Sequence, residues 1–315
     1  MSRRPLFLLS LPRSGSTLVQ RILAGHEEIA TAPEPWILLP QIYAMREQGL
    51  YAEYGQVPAS RAIREFAERL PGGPDDYRTE LRSFVSALYD RASDGGGGYF
   101  LDKTPRYHHI ADDLFDLFPE GRFLFLWRNP LAVAASISET WGRGRWNVEK
   151  YRTDLFDGTA HLVSSYRAHA DRSIALRFED LVTHPLETWP SVFAHLDLSF
   201  DPELLRSFGE VRLDARMGDP TGSRAYTSLS VEPLDKWRRT LANPIRKRWC
   251  HGYLRWIGQD RLQTMGYDLA ELEAELDSLP SSPRGLVSDV ATVAYGRTSR
   301  LRRRASAASL WGDGH

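Results

Sequence analysis

Leu6-Phe7-Leu8-Leu9-Ser10-Leu11-Pro12-Arg13-Ser14-Gly15-Ser16-Thr17 is the stretch on which the fold turns. Its first half is a short unbroken apolar run, the pattern of a strand buried on both faces of a parallel sheet. A turn follows, and Leu18, Ile22 and Leu23 then recur at helical spacing. Such a junction aims backbone N–H groups and the positive end of a helix at one point, which suits an anion. Gly15 permits close backbone approach, Ser14, Ser16 and Thr17 add hydroxyl donors, and Arg13 adds charge. The nucleotide-triphosphate version of this loop reads G-x-x-x-x-G-K-[ST]. Here Ser10 stands at the first Gly and Ser16 at the Lys, which disfavours ATP or GTP hydrolysis.

Upstream, Met1-Ser2-Arg3-Arg4 and the apolar residues after it imitate a signal peptide, but the run is short and leads straight into Pro12-Arg13. Downstream, residues 36–95 read as a mostly helical insertion, with helices expected at Trp36–Met45, Ala59–Leu70 and Asp76–Arg91. Tyr99–Leu101 is a second strand, Ile110–Phe118 a helix, and Arg122–Arg128 the strongest strand signal. Asn129 can cap the next helix, with Pro130 at its first position, where a missing N–H costs nothing. A helix over Glu149–Ala170 leads to a fourth strand, Ser173–Phe178. Strands separated by helices imply an α/β fold with a central parallel sheet and right-handed crossovers.

The chain has 315 residues, 42% hydrophobic and 26% charged, with a formal net charge of −1. That balance argues against a nucleic-acid partner. The single cysteine, Cys250, excludes an intrachain disulfide and fits a cytoplasmic protein. No apolar run is long enough for a transmembrane helix. Residues 1–280 are expected to form one domain. Residues 281–315 form a basic tail after Pro280-Ser281-Ser282-Pro283, with Arg297–Arg304 either solvated or touching an anionic partner. A monomer or homodimer is expected.

The Arg13 loop, with a basic residue, then Ser-Gly, then hydroxyl residues after the first strand, resembles the 5′-phosphosulfate loop of sulfotransferases. These enzymes use 3′-phosphoadenosine-5′-phosphosulfate (PAPS) and release adenosine 3′,5′-bisphosphate. Arg rather than Lys at the basic position is similar to the tyrosylprotein and bacterial branches. The family's 3′-phosphate site, an Arg ending a strand and a Ser on the next helix, is matched by Arg128 and Ser136. A guanidinium can fork onto a phosphate. Phe178-Glu179-Asp180-Leu181 resembles a structural landmark of the family. Gly218-Asp219-Pro220 and Asp235-Lys236-Trp237 resemble its final nucleotide-covering segment, with Lys236 as a nucleotide contact or else an exposed helix lysine. Ser223, Thr227 and Ser228 are equal candidates for a further contact there. The resemblance implies a P-loop-like three-layer fold with residues 36–95 as the acceptor-binding insertion.

Sulfuryl transfer needs a base for the acceptor proton and cations near the sulfonate and the leaving phosphate. Glu34, in Thr31-Ala32-Pro33-Glu34-Pro35-Trp36, matches the catalytic Glu of the tyrosylprotein branch, and its flanking prolines are expected to keep the segment extended. Lys103 in Leu101-Asp102-Lys103-Thr104-Pro105 matches that branch's lysine on the transferring group. The competing reading is a strand-end salt bridge with Asp102 or another carboxylate. Arg13 would stand over the bridging oxygen. No metal is expected to be required: there is no H-E-x-x-H, no His/Cys cluster and no calcium loop, and His108-His109 read as local packing. Of the aromatics in the insertion, Trp36, Tyr43, Tyr51 and Tyr54 are expected to be mainly core. The Trp141–Trp146 loop is the candidate acceptor contact, with a sugar, peptide, lipid or other small-molecule hydroxyl or amine as the acceptor. A small-molecule kinase and a non-catalytic nucleotide-binding protein are the alternative readings.

Overall fold

The computed structural model describes residues 3–93, 97–211, 213, 228–283 and 285–290. The chain divides into two compact units: Met1–Trp127 with His161–Ser230, and Arg128–Ala160 with Val231–His315.

The first unit holds one parallel sheet in the order β2-β3-β1-β4-β5. Its strands are β1 (Arg4–Ser10), β2 (Ile29–Pro33), β3 (Tyr99–Lys103), β4 (Arg122–Trp127) and β5 (Ser173–Arg177). Leu6 to Leu9 of β1 are fully buried between β3 and β4, as the unbroken apolar run requires. Phe7 stacks on Phe123 at 5.4 Å and Phe115 on Phe123 at 3.7 Å, tying the sheet to the helix before β4. The helices of this unit in chain order are α1 (Ser16–Leu23), α2 (Leu38–Tyr43), α3 (Gln56–Glu68), α4 (Pro74–Ala92) and α5 (Ala111–Leu117). The expected helical stretch before β3 is thus α2 to α4. Within it Tyr51 and Tyr54 are 89% and 76% exposed, which corrects their assignment to the core.

The second unit opens with α6 (Pro130–Thr140), whose first turn is closed by Asn129: its side chain accepts from the Leu131 N–H at 2.9 Å. The single helix expected over Glu149–Ala170 is instead a 3₁₀ turn, a π-helical stretch at Thr153–Gly158, and α7 (Thr159–Ala168), which from His161 onward belongs to the first unit. The cause is packing. The Leu155 carbonyl accepts from the hydroxyls of Thr159 at 2.6 Å and Tyr253 at 2.9 Å, and Phe156 packs on Trp256 at 4.6 Å. A wider turn accommodates both.

In chain order there follow α8 (Phe178–Thr183), α9 (Pro185–His195) and α10 (Leu204–Ser207) in the first unit, then α11 (Glu232–Leu241), α12 (Pro244–Thr264) and α13 (Leu269–Ser278) in the second. Phe178, expected to end the last strand, begins α8. Just past the expected linker, Asp289 is fully buried and accepts from Arg246 at 2.6 Å and from Asn243 at 3.1 Å. The arginines of the tail, Arg297–Arg304, lie outside the described residues.

Candidate active site

The loop after β1 is held by two left-handed residues, Arg13 at φ 70° and Gly15 at φ 91°, on either side of buried Ser14. The Ser14 N–H donates to the Leu11 carbonyl at 3.3 Å, closing the turn. Helix α1 starts on Gly15, which has no side chain to cap the N–H groups of the first turn. That is the local arrangement an anion completes. A Cβ on Gly15 would stand 2.2 Å from Cε2 of Phe178. The ring of Phe178, from the expected structural landmark, therefore lies directly against the loop at Gly15, and only glycine tolerates both the φ and the ring. Ser16 is buried and Thr17 half-buried at the start of α1.

Strand register brings the acid and the lysine together. Pro33 of β2 is the parallel partner of Lys103 on β3, so Glu34 leaves its strand where Lys103 ends the neighbouring one. Lys103 Nζ donates to Glu34 Oε1 at 2.7 Å, with the side chains only 3% and 11% exposed. The Glu34 segment is not extended, as its prolines suggested. Glu34 and Trp36 adopt φ 28° and 59°, a tight turn in which Trp36 Nε1 donates back to Glu34 Oε2 at 3.4 Å. The turn is held over the end of β3 by the Lys103–Glu34 pair and by the Trp36 N–H, which donates to Thr104 Oγ1 at 3.2 Å, contacts with β3 and its following residue that the local proline preference does not include.

Beneath that turn lies Asp102, one of the carboxylates expected as a strand-end partner of Lys103; the carboxylate that pairs with Lys103 is Glu34 instead. Asp102 precedes Lys103 and, by strand alternation, points to the opposite face of β3. It is fully buried and accepts from Tyr89 at 2.7 Å, Tyr107 at 2.9 Å and Thr104 at 3.0 Å. Two of these donors also accept from the Glu34 turn: the Trp36 N–H reaches Thr104 Oγ1 at 3.2 Å and the Leu38 N–H reaches the Tyr107 hydroxyl at 3.4 Å. Burial pushes the Asp102 carboxyl up to about 6 against the pull of its hydrogen bonds. Burial beside the same carboxylate drives both tyrosine hydroxyls well above their ordinary value. Gln20 of α1 anchors the strand leading to Glu34, donating to Thr31 Oγ1 at 2.8 Å and the Ala32 carbonyl at 3.0 Å. The signal for Asp102 was a charge inside Tyr99-Phe100-Leu101-Asp102-Lys103; nothing local announces β2 or the two tyrosines.

In the second unit Arg128 is nearly buried and donates to the Pro233 carbonyl at 3.3 Å, while Ser136 is half-buried on α6. Lys236 is 60% exposed on α11 and pairs with Glu232 at 3.2 Å. Ser228 is exposed; Ser223, Thr227 and Gly218-Asp219-Pro220 lie outside the described residues. Within the Trp141–Trp146 loop, Trp146 is buried edge-on against Trp249 at 5.4 Å, which makes it core, whereas Arg143 and Arg145 are exposed.

Residues 5–202 match the profile of the Sulfotransferase family. Over 141 residues the chain is 36% identical to the Nodulation protein NoeE of Sinorhizobium fredii (strain NBRC 101917 / NGR234), covering 43% of this chain and 31% of that protein. It is 22% identical over 244 residues to Protein-tyrosine sulfotransferase 1 of Danio rerio, covering 74% and 65%. The chain thus spans about a third of the first relative's length and just under two thirds of the second's. The sulfotransferase domain from the Synechococcus PCC 7002 olefin synthase superposes with a TM-score of 0.50 at 26% identity, over 75% of this chain and 88% of that domain. The sulfotransferase domain from the curacin biosynthetic pathway shares the fold, with a TM-score of 0.50 at 23% identity over 75% and 92%. The profile match runs from β1, through the Arg13 loop, to beyond the last strand of the parallel sheet, and the chain belongs to the sulfotransferase family.

Proposed function

We propose that this chain transfers the sulfuryl group of PAPS to a hydroxyl or amine acceptor, with Glu34 as base and with Arg13 and Lys103 as the cations on the transferring group and leaving phosphate. The observation that carries the reading is the Lys103–Glu34 contact at the C-terminal ends of β3 and β2, beside the strand whose end bears the Arg13 loop. Ligands in open parallel sheets bind outside those strand ends. In the proposed step Glu34 takes the acceptor proton as the acceptor oxygen or nitrogen bonds to sulfur. The bond from sulfur to the 5′-phosphate oxygen breaks, and the phosphate leaves with that electron pair. Lys103, held by Glu34 before the acceptor arrives, turns its charge to the sulfonate, where fixed donors act most strongly.

Ser14, Gly15, Ser16 and Thr17 are proposed to cradle the 5′-phosphate. Arg128, Ser136 and Lys236 are proposed as further nucleotide contacts on the order of the sequence motifs alone. Relatives bearing the name protein-tyrosine sulfotransferase make a peptide tyrosine the first acceptor to try, followed by carbohydrate and other small hydroxyl compounds. The test is incubation with labelled PAPS and an acceptor panel, with mass detection of an added sulfonate. Glu34→Gln should lower turnover by ~10²–10⁴-fold while adenosine 3′,5′-bisphosphate still binds. Near-normal turnover in that variant removes Glu34 as base. Thermal stabilisation by ATP with Mg²⁺, and not by adenosine 3′,5′-bisphosphate, would favour a kinase instead.

A further inference from the structure

His108 and His109 are neighbours in the 3₁₀ turn Pro105–His109, where successive side chains splay by roughly 120°. That geometry underlies the expectation of mere local packing. The rings are nevertheless 4.1 Å apart, with their planes at 45°, and His161 of α7 joins them. One ring nitrogen from each of the three lies within 4.8 Å of the others. All three belong to the first unit and line one cavity of about 280 Å³, together with Arg46, Asp112 and Asp113. We propose that this cluster is a binding site for a divalent transition-metal ion of borderline softness, Zn²⁺ foremost, with His108, His109 and His161 as ligands.

The donor set selects the metal. Three imidazoles without thiolates suit Zn²⁺, Co²⁺, Ni²⁺ or Cu²⁺, whereas Mg²⁺ and Ca²⁺ take oxygen ligands. Metal–nitrogen bonds of ~2.0–2.1 Å in a tetrahedron place ligand nitrogens about 3.4 Å apart, so the cluster must tighten by up to about 1.4 Å. His161 is the exposed member and the one whose side chain can swing to do so. Asp113 is engaged by Arg46 at 2.6 Å, whereas Asp112 has a long contact to His169, at 3.9 Å, and is the lining carboxylate better able to support the coordination. A bound ion would fasten the turn after β3 to α7. The turn also contains Tyr107, one of the three donors on Asp102, so occupancy would stiffen the support under the Glu34 segment.

The site is read by metal content, independently of sulfuryl transfer. Untagged protein dialysed against a chelator should take up one equivalent of Zn²⁺ by calorimetry and elemental analysis. It should show a Co²⁺ visible spectrum of nitrogen ligation that Zn²⁺ abolishes, and melt at a higher temperature when loaded. His161→Ala and His109→Gln should each weaken uptake by more than about tenfold. His251→Ala, on α12, should leave it unchanged. Because His161 is exposed, the metal-free His161→Ala protein should melt like metal-free wild type. Failure of the wild type to bind Zn²⁺ at any stoichiometry, or uptake undiminished in both His161→Ala and His109→Gln, overturns the proposal.

Discussion

The Lys103–Glu34 pair is expensive where it stands. Removing two charges from water costs several kcal/mol each in practice, and their attraction returns this only with good geometry. At 2.7 Å and with little exposure the geometry is good, yet neither partner can be deleted cheaply. Lys103→Met should destabilise the fold by about 3–5 kcal/mol, because the largely buried Glu34 side chain loses the cation it is paired with. The double variant Lys103→Met/Glu34→Gln should recover most of that loss, with a coupling above ~1 kcal/mol by urea denaturation. Additive single effects would mean the two groups ignore each other in solution. At Gly15 the constraint is steric and conformational together. Gly15→Ala should cost on the order of 1–3 kcal/mol and abolish adenosine 3′,5′-bisphosphate binding in calorimetry, since the loop must move to clear Phe178. Wild-type affinity in that variant would separate the loop from the nucleotide.

At the scale of elements, β3 serves two purposes through its alternation. One face presents Lys103 to the Glu34 turn, and the other plants Asp102 among Tyr89, Tyr107 and Thr104. Asp102 makes a pH prediction whose sign is opposite to that of an ordinary salt-bridged carboxylate. Its folded value of about 6 lies above the ordinary 3.8, so between these values the folded state holds more protons than the unfolded. Stability from this group is fully present below about pH 4 and is lost as pH rises through 6. The gap between 3.8 and about 6, at ~1.36 kcal/mol per pH unit, is about 3 kcal/mol. The stability of wild type relative to Asp102→Asn, measured by denaturation from pH 4 to 7.5, should therefore fall by that order. A flat difference would show that Asp102 titrates alike in both states. Strand β2 explains why the acid turn is so placed. It is an edge strand, which is where a proline such as Pro33 is tolerated, and its register with β3 delivers Glu34 to Lys103.

Considered whole, the chain is two compact units with different cores. The first is a five-stranded parallel sheet lined by Phe7, Phe115, Phe123 and Phe125. The second is helical, centred on Trp146, Phe156, Trp249 and Tyr253, with the Arg246–Asp289 pair buried inside it. Cys250 lies fully buried in that second core, and burial raises its thiol far above the ordinary value. A charged thiol reagent should leave native protein unlabelled and react once urea opens the unit, so the labelling rate reports the opening of this core. Rapid labelling of the native protein would show that the helical unit opens readily on its own.

The apolar run Leu6–Leu9, the Arg13 loop, the Asn129-Pro130 helix start and the family itself were legible along the chain, because each is carried by near neighbours whose spacing encodes its local conformation. Glu34 and Lys103 could be named but not joined, since 69 residues part them and only the pairing of β2 with β3 closes that gap. Asp102 with its tyrosines, the π-helical turn at Thr153–Gly158 and the three histidines have the same origin. A side chain's burial and its distant partners follow from which surfaces the folded layers press together, and no local pattern of residues carries that information.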